Sequence, residues 1–145
     1  MSLDKYQDEW SADADLDNSA LDEAARNVPL LHAKWWKYYS AERLRFKMVD
    51  LQYKTLYRQK WEWLLGKMDD TERLQLGWPP QNLKILTTNV DVYLDGDAHI
   101  QELLKKRIVQ EETLKFLEDV IKQINNRNFL IKSMIDFLKF KHGLN

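Results

Sequence analysis

Cysteine is absent from this 145-residue chain, and glycine and proline are scarce, with four and three residues respectively. Without cysteine there is no disulfide framework and no cysteine-ligated metal site, which is compatible with a reducing compartment. The glycines are too scattered to form a phosphate-cradling loop, so no ATP-driven activity is expected. No apolar run approaches the length of a membrane span, and the N-terminus lacks the basic-then-apolar pattern of a signal peptide. We therefore expect a protein that has no membrane segment and is not exported.

The residues that usually form an active site are also missing. The three histidines, His32, His99 and His142, are isolated, and neither Ser40 nor Thr71 has a base at a recognisable spacing. One stretch copies several positions of a twelve-residue calcium loop, in Asp91, Asp95, Gly96, Asp97 and Glu102. Its third position is Tyr93 and no convincing helix precedes it, so a turn followed by a helix cap is favoured. The sequence predicts a protein that is not an enzyme and has no metal or cofactor.

The stretch between Pro29 and Gly66 contains no glycine or proline and holds nine of the seventeen aromatic residues. It predicts one long amphipathic helix over about 29–66, which would be about 55 Å long at 1.5 Å per residue. One side of this helix, the apolar arc, repeats in steps of four and three, and two charged residues interrupt that heptad rhythm. The arc contains Leu31, Trp35, Tyr38, Tyr39, Phe46, Val49, Tyr53, Leu56, Trp63 and Leu64. The heptad positions along it are Trp35, Tyr39, Glu42, Phe46, Val49, Tyr53, Leu56, Lys60 and Trp63.

The opposite side of the same helix is basic. From Lys34 to Lys67 there are nine Lys or Arg residues against three acids. Four of the bases form a narrow row that we name the basic stripe, with a tryptophan near each end: Arg43, Lys47, Lys54 and Arg58, with Trp36 and Trp61. This side of the helix is the part of the chain best suited to an anionic partner.

A third seam, Leu44, Met48 and Leu51, lies between the apolar arc and the basic stripe. The predicted helix is long compared with a compact 145-residue monomer, whose radius of gyration is about 15 Å. The seam would therefore have nothing to touch unless another copy of the chain supplied it, and exposed apolar surface usually marks an interface. We infer a homo-oligomer, and the alternative is a monomeric helical hairpin bundle with one exposed seam.

The remaining segments complete an all-α prediction. Residues 1–18 are acidic and poor in aliphatic side chains, which predicts a mobile segment or one that lies across a partner. Residues 19–145 predict a single all-helical domain: the long helix, a connector over about 67–97, and C-terminal helices over about 98–124 and 127–142. In the first C-terminal helix the heptad returns, with Arg107 and Gln110 as polar seam residues. Long amphipathic helices are expected to form a coiled-coil-like bundle.

The net charge of −1 conceals a strong segregation of charge along the chain. Residues 1–28 carry −6, residues 29–68 carry +6, residues 69–99 carry −4, and residues 100–145 carry +3. The overall balance argues against a purely electrostatic nucleic-acid binder, whereas the clustering argues for a directed basic surface.

A basic stripe flanked by tryptophans fits single-stranded DNA, because cations neutralise the backbone and indole rings stack on unpaired bases. The aromatic residues of the apolar arc are expected to be core. A structural coiled-coil assembly protein would need the heptads but not the stripe, and a duplex-binding regulator would need a compact recognition helix and would prefer duplex DNA. From periodicity alone, a DNA-binding stripe and a solvated basic face are about equally supported.

Five stretches carry a family resemblance: DNSALDEAARNV (17–28), LHAKWWKYYS (31–40), YRQKWEWLLG (57–66), ILTTNVDVYLDGDAHIQ (85–101) and RNFLIKSMIDF (127–137). They resemble the UvsY-type recombination mediators of T4-like phages. The resemblance covers most of the chain but is diffuse, without a catalytic signature. Over residues 57–66 the family pattern of two spaced bases, an acid, an aromatic and a glycine is matched by Arg58, Lys60, Glu62, Trp63 and Gly66.

The resemblance implies that the basic pair Arg58 and Lys60 contacts single-stranded DNA. The order here is Arg then Lys, so the charge is kept but the positions of the guanidinium fork and the ammonium are exchanged. An ideal helix puts Lys60 on the apolar arc, so either the helix unwinds near Lys60 or the side chain extends around a subunit junction.

The resemblance also implies a function without catalysis. The chain would form a homo-oligomeric ring of six or seven subunits in the cytoplasm of an infected host cell. It would bind single-stranded DNA and promote loading of a phage RecA-like recombinase onto DNA covered by the phage single-strand-binding protein. The candidate DNA-binding residues are Arg43, Lys47, Lys54, Arg58, Lys60, Trp36 and Trp61.

Overall fold

The computed structural model describes residues 1–143, whose regular secondary structure is helical, with no β-strand among them. The all-α class that the sequence predicted is confirmed. None of the described helices is both long enough and apolar enough to cross a lipid bilayer. Within residues 1–143, six α-helices follow in order, with one 3-10 turn at Thr87–Asn89 between the third and fourth: α1 Leu3–Asp13, α2 Leu21–Leu64, α3 Asp70–Leu76, α4 Val90–Asp95, α5 Ala98–Asn125 and α6 Arg127–Lys141.

The chain divides into two compact units, whereas the sequence predicted one domain over 19–145. The first unit contains Met1–Leu44 and the chain from Gln110 onward, and the second contains Arg45–Val109. Helices α2 and α5 each contribute residues to both units.

Helix α2 is a continuous helix that begins at Leu21, earlier than the predicted start near residue 29. Pro29 lies inside it with its side chain exposed, and therefore removes one backbone hydrogen bond from the helix interior. Acids in the first turn favour a helix start there, and packing on both sides of the proline compensates for the lost bond. Leu21 before it is buried, and Leu31 after it packs against the first core. Gly66, with φ +69°, follows the C-terminal end of the helix.

The core of the first unit is built around Trp35, whose side chain is 0% exposed. Two aromatic residues of α1 pack against it, with ring centroids 5.6 Å away for Trp10 and 6.3 Å away for Tyr6. The α5 side of the same cluster consists of Leu117, Val120, Ile121 and Ile124.

The prediction of a mobile segment over residues 1–18 is therefore wrong for helix α1. Tyr6 and Trp10 are four residues apart, so they share one helix face, and both are buried. The helix is capped by Ser2, whose hydroxyl accepts a hydrogen bond from the Lys5 amide. Two of its acids are used inside the unit, since Lys34 pairs with Glu9 at 2.8 Å and with Asp13 at 2.7 Å. Net acidity thus concealed a short amphipathic helix.

The core of the second unit consists of Leu64 from α2, Val90 and Leu94 from α4, and Ile100 from α5. The predicted connector over 67–97 contains α3, the 3-10 turn and α4, so much of it is short helix. Asp97 begins the next element, because its Oδ1 accepts the Ile100 amide at 3.0 Å. Helices α5 and α6, at Ala98–Asn125 and Arg127–Lys141, compare with predicted spans of 98–124 and 127–142.

The polar residues on the predicted seams face one another within each unit. In the first unit, the Gln110 side-chain amide donates to the Glu42 carboxylate and, at 3.2 Å, to the Glu42 carbonyl oxygen. In the second unit, Arg107 Nε lies 3.0 Å from Asp50 Oδ1, and its guanidinium carbon is 5.3 Å from the centre of the Tyr53 ring. Each of these contacts joins α2 to α5, which gives the interrupted heptads a structural role.

Candidate nucleic-acid interface

The basic stripe is exposed along α2. Arg43 belongs to the first unit, and Lys47, Lys54 and Arg58 belong to the second. Neither Arg43 nor Lys47 forms an ion pair with another residue of the described range 1–143. Lys54 Nζ lies 3.0 Å from Asp50 Oδ2 one turn earlier, although the lysine side chain remains 68% exposed. Exposed ion pairs of this kind are weak, so the Lys54 ammonium is available to another anion.

Arg58 is the most strongly engaged member of the stripe. Its Nη1 donates to Glu62 Oε2 at 2.8 Å, and its Nη2 donates to Glu72 Oε1 at 3.1 Å. Glu62 lies one turn further along α2, whereas Glu72 lies on α3. The hydrogen bonds that Glu62 and then Glu72 accept from Arg58 hold the pKa of Arg58 above its ordinary value. The side chain is still 51% exposed, so its charge faces solvent.

Lys60 is placed differently from the basic stripe. Helix α2 continues without a break to Leu64, so the helix does not unwind at Lys60. The side chain extends along the protein surface, and its ammonium lies 3.2 Å from Asp97 Oδ2 and 4.5 Å from the centre of the Trp78 ring. Only 13% of the side chain is exposed. Lys60 is thus tied to the connector within its own chain.

The surroundings of the Asp97 carboxylate favour its charged form. Burial raises the pKa of Asp97, but the Ile100 backbone amide and the Lys60 ammonium lower it by more, so the net pKa is below the ordinary value. Asp97 therefore caps α5 and balances Lys60 at once. Within residues 1–143, no group of three or more histidine and acidic side chains is arranged to hold a metal ion.

The two tryptophans assigned to the stripe have different surroundings. Trp36, in the first unit, is 49% exposed, and its ring is stacked on His32 with a centroid distance of 6.1 Å and an interplanar angle of 11°. Trp61, in the second unit, is partly buried against the second core, and Lys67 Nζ lies 5.5 Å from its ring centre. Trp61 therefore does not lie open on the stripe as the sequence predicted, because its large ring covers apolar side chains at the flank of the helix.

Two residues that contact the basic pair, Glu72 and Asp97, were not assigned to the site from the sequence. The sequence indicates Asp97 as part of a helix cap, and Glu72 lies in the stretch that it predicts to be a connector. Each lies more than one helical turn away along the chain from the base it meets, so no local spacing links them. The available signal was the excess of acids in residues 69–99, which follow the most basic part of the chain.

A helical chain with an exposed row of bases is compatible with several classes of protein, and family comparison defines which one applies. Residues 9–144 match the family described as "Recombination, repair and ssDNA binding protein UvsY". The class is therefore that of recombination and repair proteins that bind single-stranded DNA. The chain belongs to the UvsY family.

Individual relatives agree with this assignment. The chain is 24% identical over 144 residues to the "Recombination protein uvsY" of Enterobacteria phage T4, with 99% of each sequence covered. Its fold is similar to a crystal structure of the bacteriophage T4 recombination mediator protein UvsY in lattice type II, with a TM-score of 0.84, 20% identity and 98% of each chain covered. The lattice type IV structure gives a TM-score of 0.83 at 20% identity, covering 97% of this chain and 99% of the other. At this level of identity the structures establish a common fold.

Proposed function

We propose that this chain is a recombination mediator. It binds single-stranded DNA and promotes loading of a phage RecA-like recombinase onto DNA that is covered by a single-strand-binding protein. It acts without catalysis, in the cytoplasm of the infected host cell. The observation that carries the proposal is membership of the UvsY family by a chain whose α2 presents an exposed row of bases.

The proposed DNA contacts in the second unit are Lys47, Lys54 and Arg58. Lys47 and Lys54 are exposed, and the Arg58 guanidinium is half exposed. Positive side chains on one helix face match the spacing of a flexible phosphate backbone, which follows the row without a fixed sequence. Lys60 and Trp61 are given a supporting part, because their side chains are engaged with the connector and the second core.

The proposed DNA contacts in the first unit are Arg43 and Trp36. Arg43 is exposed, and Trp36 presents about half of its surface. An indole ring of this exposure offers a face on which an unpaired base stacks, at a gain of about 1–3 kcal/mol per base. The stacked His32 holds the ring in one orientation, which reduces the entropy lost on binding.

Self-association is part of the proposal. In the second unit, Met48 and Leu51 on α2 are each 61% exposed, and in the first unit Leu44 on the same helix is 65% exposed. Exposed apolar residues in series on one helix favour contact with another copy of the chain. A homo-oligomeric ring of six or seven subunits would sum many weak phosphate contacts along one strand.

A coiled-coil assembly protein that binds no DNA is the second candidate. The apolar residues on α2 support self-association equally well for that function. The two candidates differ in whether the basic stripe matters, because only a mediator needs its charges.

Binding of fluorescently labelled oligo-dT, followed by anisotropy at several salt concentrations, tests the DNA contact. The triple variant Lys47→Ala, Lys54→Ala, Arg58→Ala is expected to weaken binding and to lower the slope of log K against log salt by about 2, since each phosphate contact on single-stranded DNA contributes about 0.7. A duplex of matched length is expected to bind more weakly, because its bases are not free to stack on tryptophan.

The matched control is Lys106→Ala, which removes an exposed base from α5 in the same unit. It should leave the binding constant within about a factor of two, as expected for a single remote charge. An unchanged salt slope in the triple variant, with the oligomer mass intact, would favour the assembly protein over the mediator.

A second assay tests mediation itself. A RecA-like recombinase is given single-stranded DNA that is already covered by a single-strand-binding protein, and the lag before its DNA-dependent ATPase begins is measured. The wild-type chain should shorten the lag, and the triple variant should not. Normal DNA binding without any shortening would contradict the mediator function while leaving the DNA contact standing.

A further inference from the structure

One carboxylate of helix α3, that of Glu72, accepts hydrogen bonds from two residues of α2. Glu72 accepts hydrogen bonds from Arg58 Nη2 at 3.1 Å and from Gln59 Nε2 at 3.2 Å. No residue of α3 is buried, and its Leu74 is 68% exposed. The helix is therefore attached by polar contacts at the proposed DNA surface and contributes little to the second core.

The carboxylates beside Arg58 occupy the groups that a phosphate would use. A guanidinium offers parallel N–H donors, and carboxylate and phosphate oxygens fit that fork in the same way. Glu62 takes Nη1 and Glu72 takes Nη2. Glu62 belongs to α2 itself, whereas Glu72 is brought in by a separate segment. A bound phosphate and Glu72 therefore compete for one donor.

The segment that carries Glu72 holds itself together. Asp69 caps its start by accepting the Thr71 amide at 3.1 Å, and Gly77, with φ +71°, ends it. Arg73 donates to the Trp78 carbonyl oxygen at 3.1 Å, which is a bond inside the same segment. None of these bonds involves Arg58, so the helix can separate from Arg58 while Trp78, whose ring centroid lies 6.2 Å from that of Trp63, stays packed on α2.

We propose that α3 is an autoinhibitory lid, in which Glu72 occupies the phosphate position at Arg58 until single-stranded DNA displaces it. This inference rests on the proposed function, because it takes Arg58 to be a DNA contact. Residues 69–77 contain three acids and one base, so the closed lid also repels an approaching phosphate. DNA that reaches the stripe must open the lid.

The substitution Glu72→Gln tests the lid, since it removes the charge and keeps an oxygen that accepts from Gln59. The dissociation constant for oligo-dT is expected to fall roughly two- to five-fold at low salt, in line with the loss of one competing exposed ion pair. The control is Asp70→Asn, which removes the same charge from the same helix. The ion pair that Asp70 forms, with Arg73 at 3.6 Å, lies within α3 and does not involve α2. This control should change the constant by less than about 1.5-fold, as a screened remote charge does.

A double variant separates failure of the lid from failure of the proposed function. In an Arg58→Ala background, Glu72→Gln should give no more gain than Asp70→Asn. Weaker binding by Arg58→Ala, together with equal effects of Glu72→Gln and Asp70→Asn, would overturn the lid and leave the DNA contact standing. If Arg58→Ala bound oligo-dT as tightly as the wild type, both the lid and the DNA contact at Arg58 would be contradicted.

Hydrogen exchange on the wild-type protein gives a readout that needs no substitution. Addition of oligo-dT should speed amide exchange over residues 70–76, because a seven-residue helix that has left α2 unfolds more often than one held against it. Exchange in the buried part of α5 should stay unchanged. Slower or unchanged exchange over 70–76 at saturating DNA would overturn the lid, since it would mean that α3 stays closed when DNA is bound.

Discussion

Each unit contains a charged residue of the apolar arc, and the two residues have different kinds of partner. In the first unit the residue is an acid, Glu42, which is 2% exposed and accepts hydrogen bonds from the Tyr6 hydroxyl at 2.8 Å and from the Gln110 amide. In the second unit it is a base, Lys60, whose ammonium pairs with Asp97 and lies over the Trp78 ring. The Tyr6 hydroxyl and the Gln110 amide are among the partners of the buried acid, and an opposite charge contacts the less deeply buried base.

This difference shows what each interruption of the heptad does. A buried polar group is costly unless its hydrogen bonds are satisfied, so each interruption selects one arrangement of the segments around it. Glu42 connects α2 to two other helices, because it accepts hydrogen bonds from Tyr6 of α1 and from Gln110 of α5. Lys60 draws in the connector, through Asp97 and Trp78. We expect Glu42 to act through buried hydrogen bonds and Lys60 through an ion pair.

The largest expected effect comes from Trp35→Ala in the first unit. Removal of a fully buried tryptophan should lower the free energy of unfolding by about 3–5 kcal/mol, since α1 and α5 both lose their common contact. Urea denaturation followed by circular dichroism, at fixed protein concentration, measures the loss. The neighbouring Trp36→Ala is the control and should cost less than about 1 kcal/mol, because that ring is half exposed. Equal losses would mean that the first core is not organised around Trp35.

The next effect is that of Glu42→Gln, which tests the buried acid directly. The new amide group has fewer acceptors for the Tyr6 hydroxyl and sets an NH2 group against that of Gln110, so about 1–3 kcal/mol of the free energy of unfolding should be lost. Denaturation in urea again gives the value. The control is Glu118→Gln. Glu118 accepts a hydrogen bond from the Tyr39 hydroxyl at 3.2 Å at an exposed site, so the free energy of unfolding should change by no more than about 0.5 kcal/mol. A loss in Glu42→Gln no greater than in its control would contradict a special role for the buried acid.

Lys60→Met should cost less than the change at Glu42, at about 1–2 kcal/mol, because Asp97 keeps some contact with water when its partner is lost. The apolar stem is retained, so the packing over Trp78 changes little. A double-mutant cycle with Asp97→Asn measures the coupling, which should be at least about 0.5 kcal/mol for residues in contact. Additive effects of the two substitutions would show that the ion pair does not hold the connector.

The sequence predicted the local features of this fold because those features depend on local patterns. The heptad rhythm identified the long helix, and the same count marked Glu42, Lys60, Arg107 and Gln110 as interruptions. Their partners were beyond reach, since Glu42 and Gln110 are 68 residues apart along the chain. Helix α1 was missed for a related reason: Tyr6 and Trp10 provide only two apolar positions, and the surrounding acids outweighed them.

The candidate site shows the same limit. Exposure of the four bases in the stripe follows from their position on one face of α2. The geometry of an ideal helix leaves the direction of the Lys60 side chain undetermined. The path of the connector, which brings Asp97 beside Lys60, determines that direction. The angular position of Trp61 on an ideal helix predicts that it lies on the stripe. That position says nothing about the width of the indole ring or about the core that the ring covers, so the burial of Trp61 could not be predicted.

The smallest expected effect is that of low pH on the free energy of unfolding, and it tests the ion pair between Lys60 and Asp97 in the second unit. The pKa of Asp97 in the folded chain lies below its ordinary value of 3.8, since the Ile100 amide and Lys60 together lower it by more than burial raises it. A carboxyl with a lowered folded pKa contributes stability above its unfolded pKa, and that stability is lost as the pH falls from about 4 towards the folded value. Between pH 5 and pH 3, Asp97→Asn should therefore lose less free energy of unfolding than the wild type, by under about 1 kcal/mol once solvent screening is allowed for. Asp95→Asn, an exposed neighbour, is the charge-matched control and should follow the wild-type curve. If Asp97→Asn and Asp95→Asn gave parallel pH curves, the Lys60–Asp97 pair would carry no linked stability, and the contrast with Glu42 would rest on burial alone.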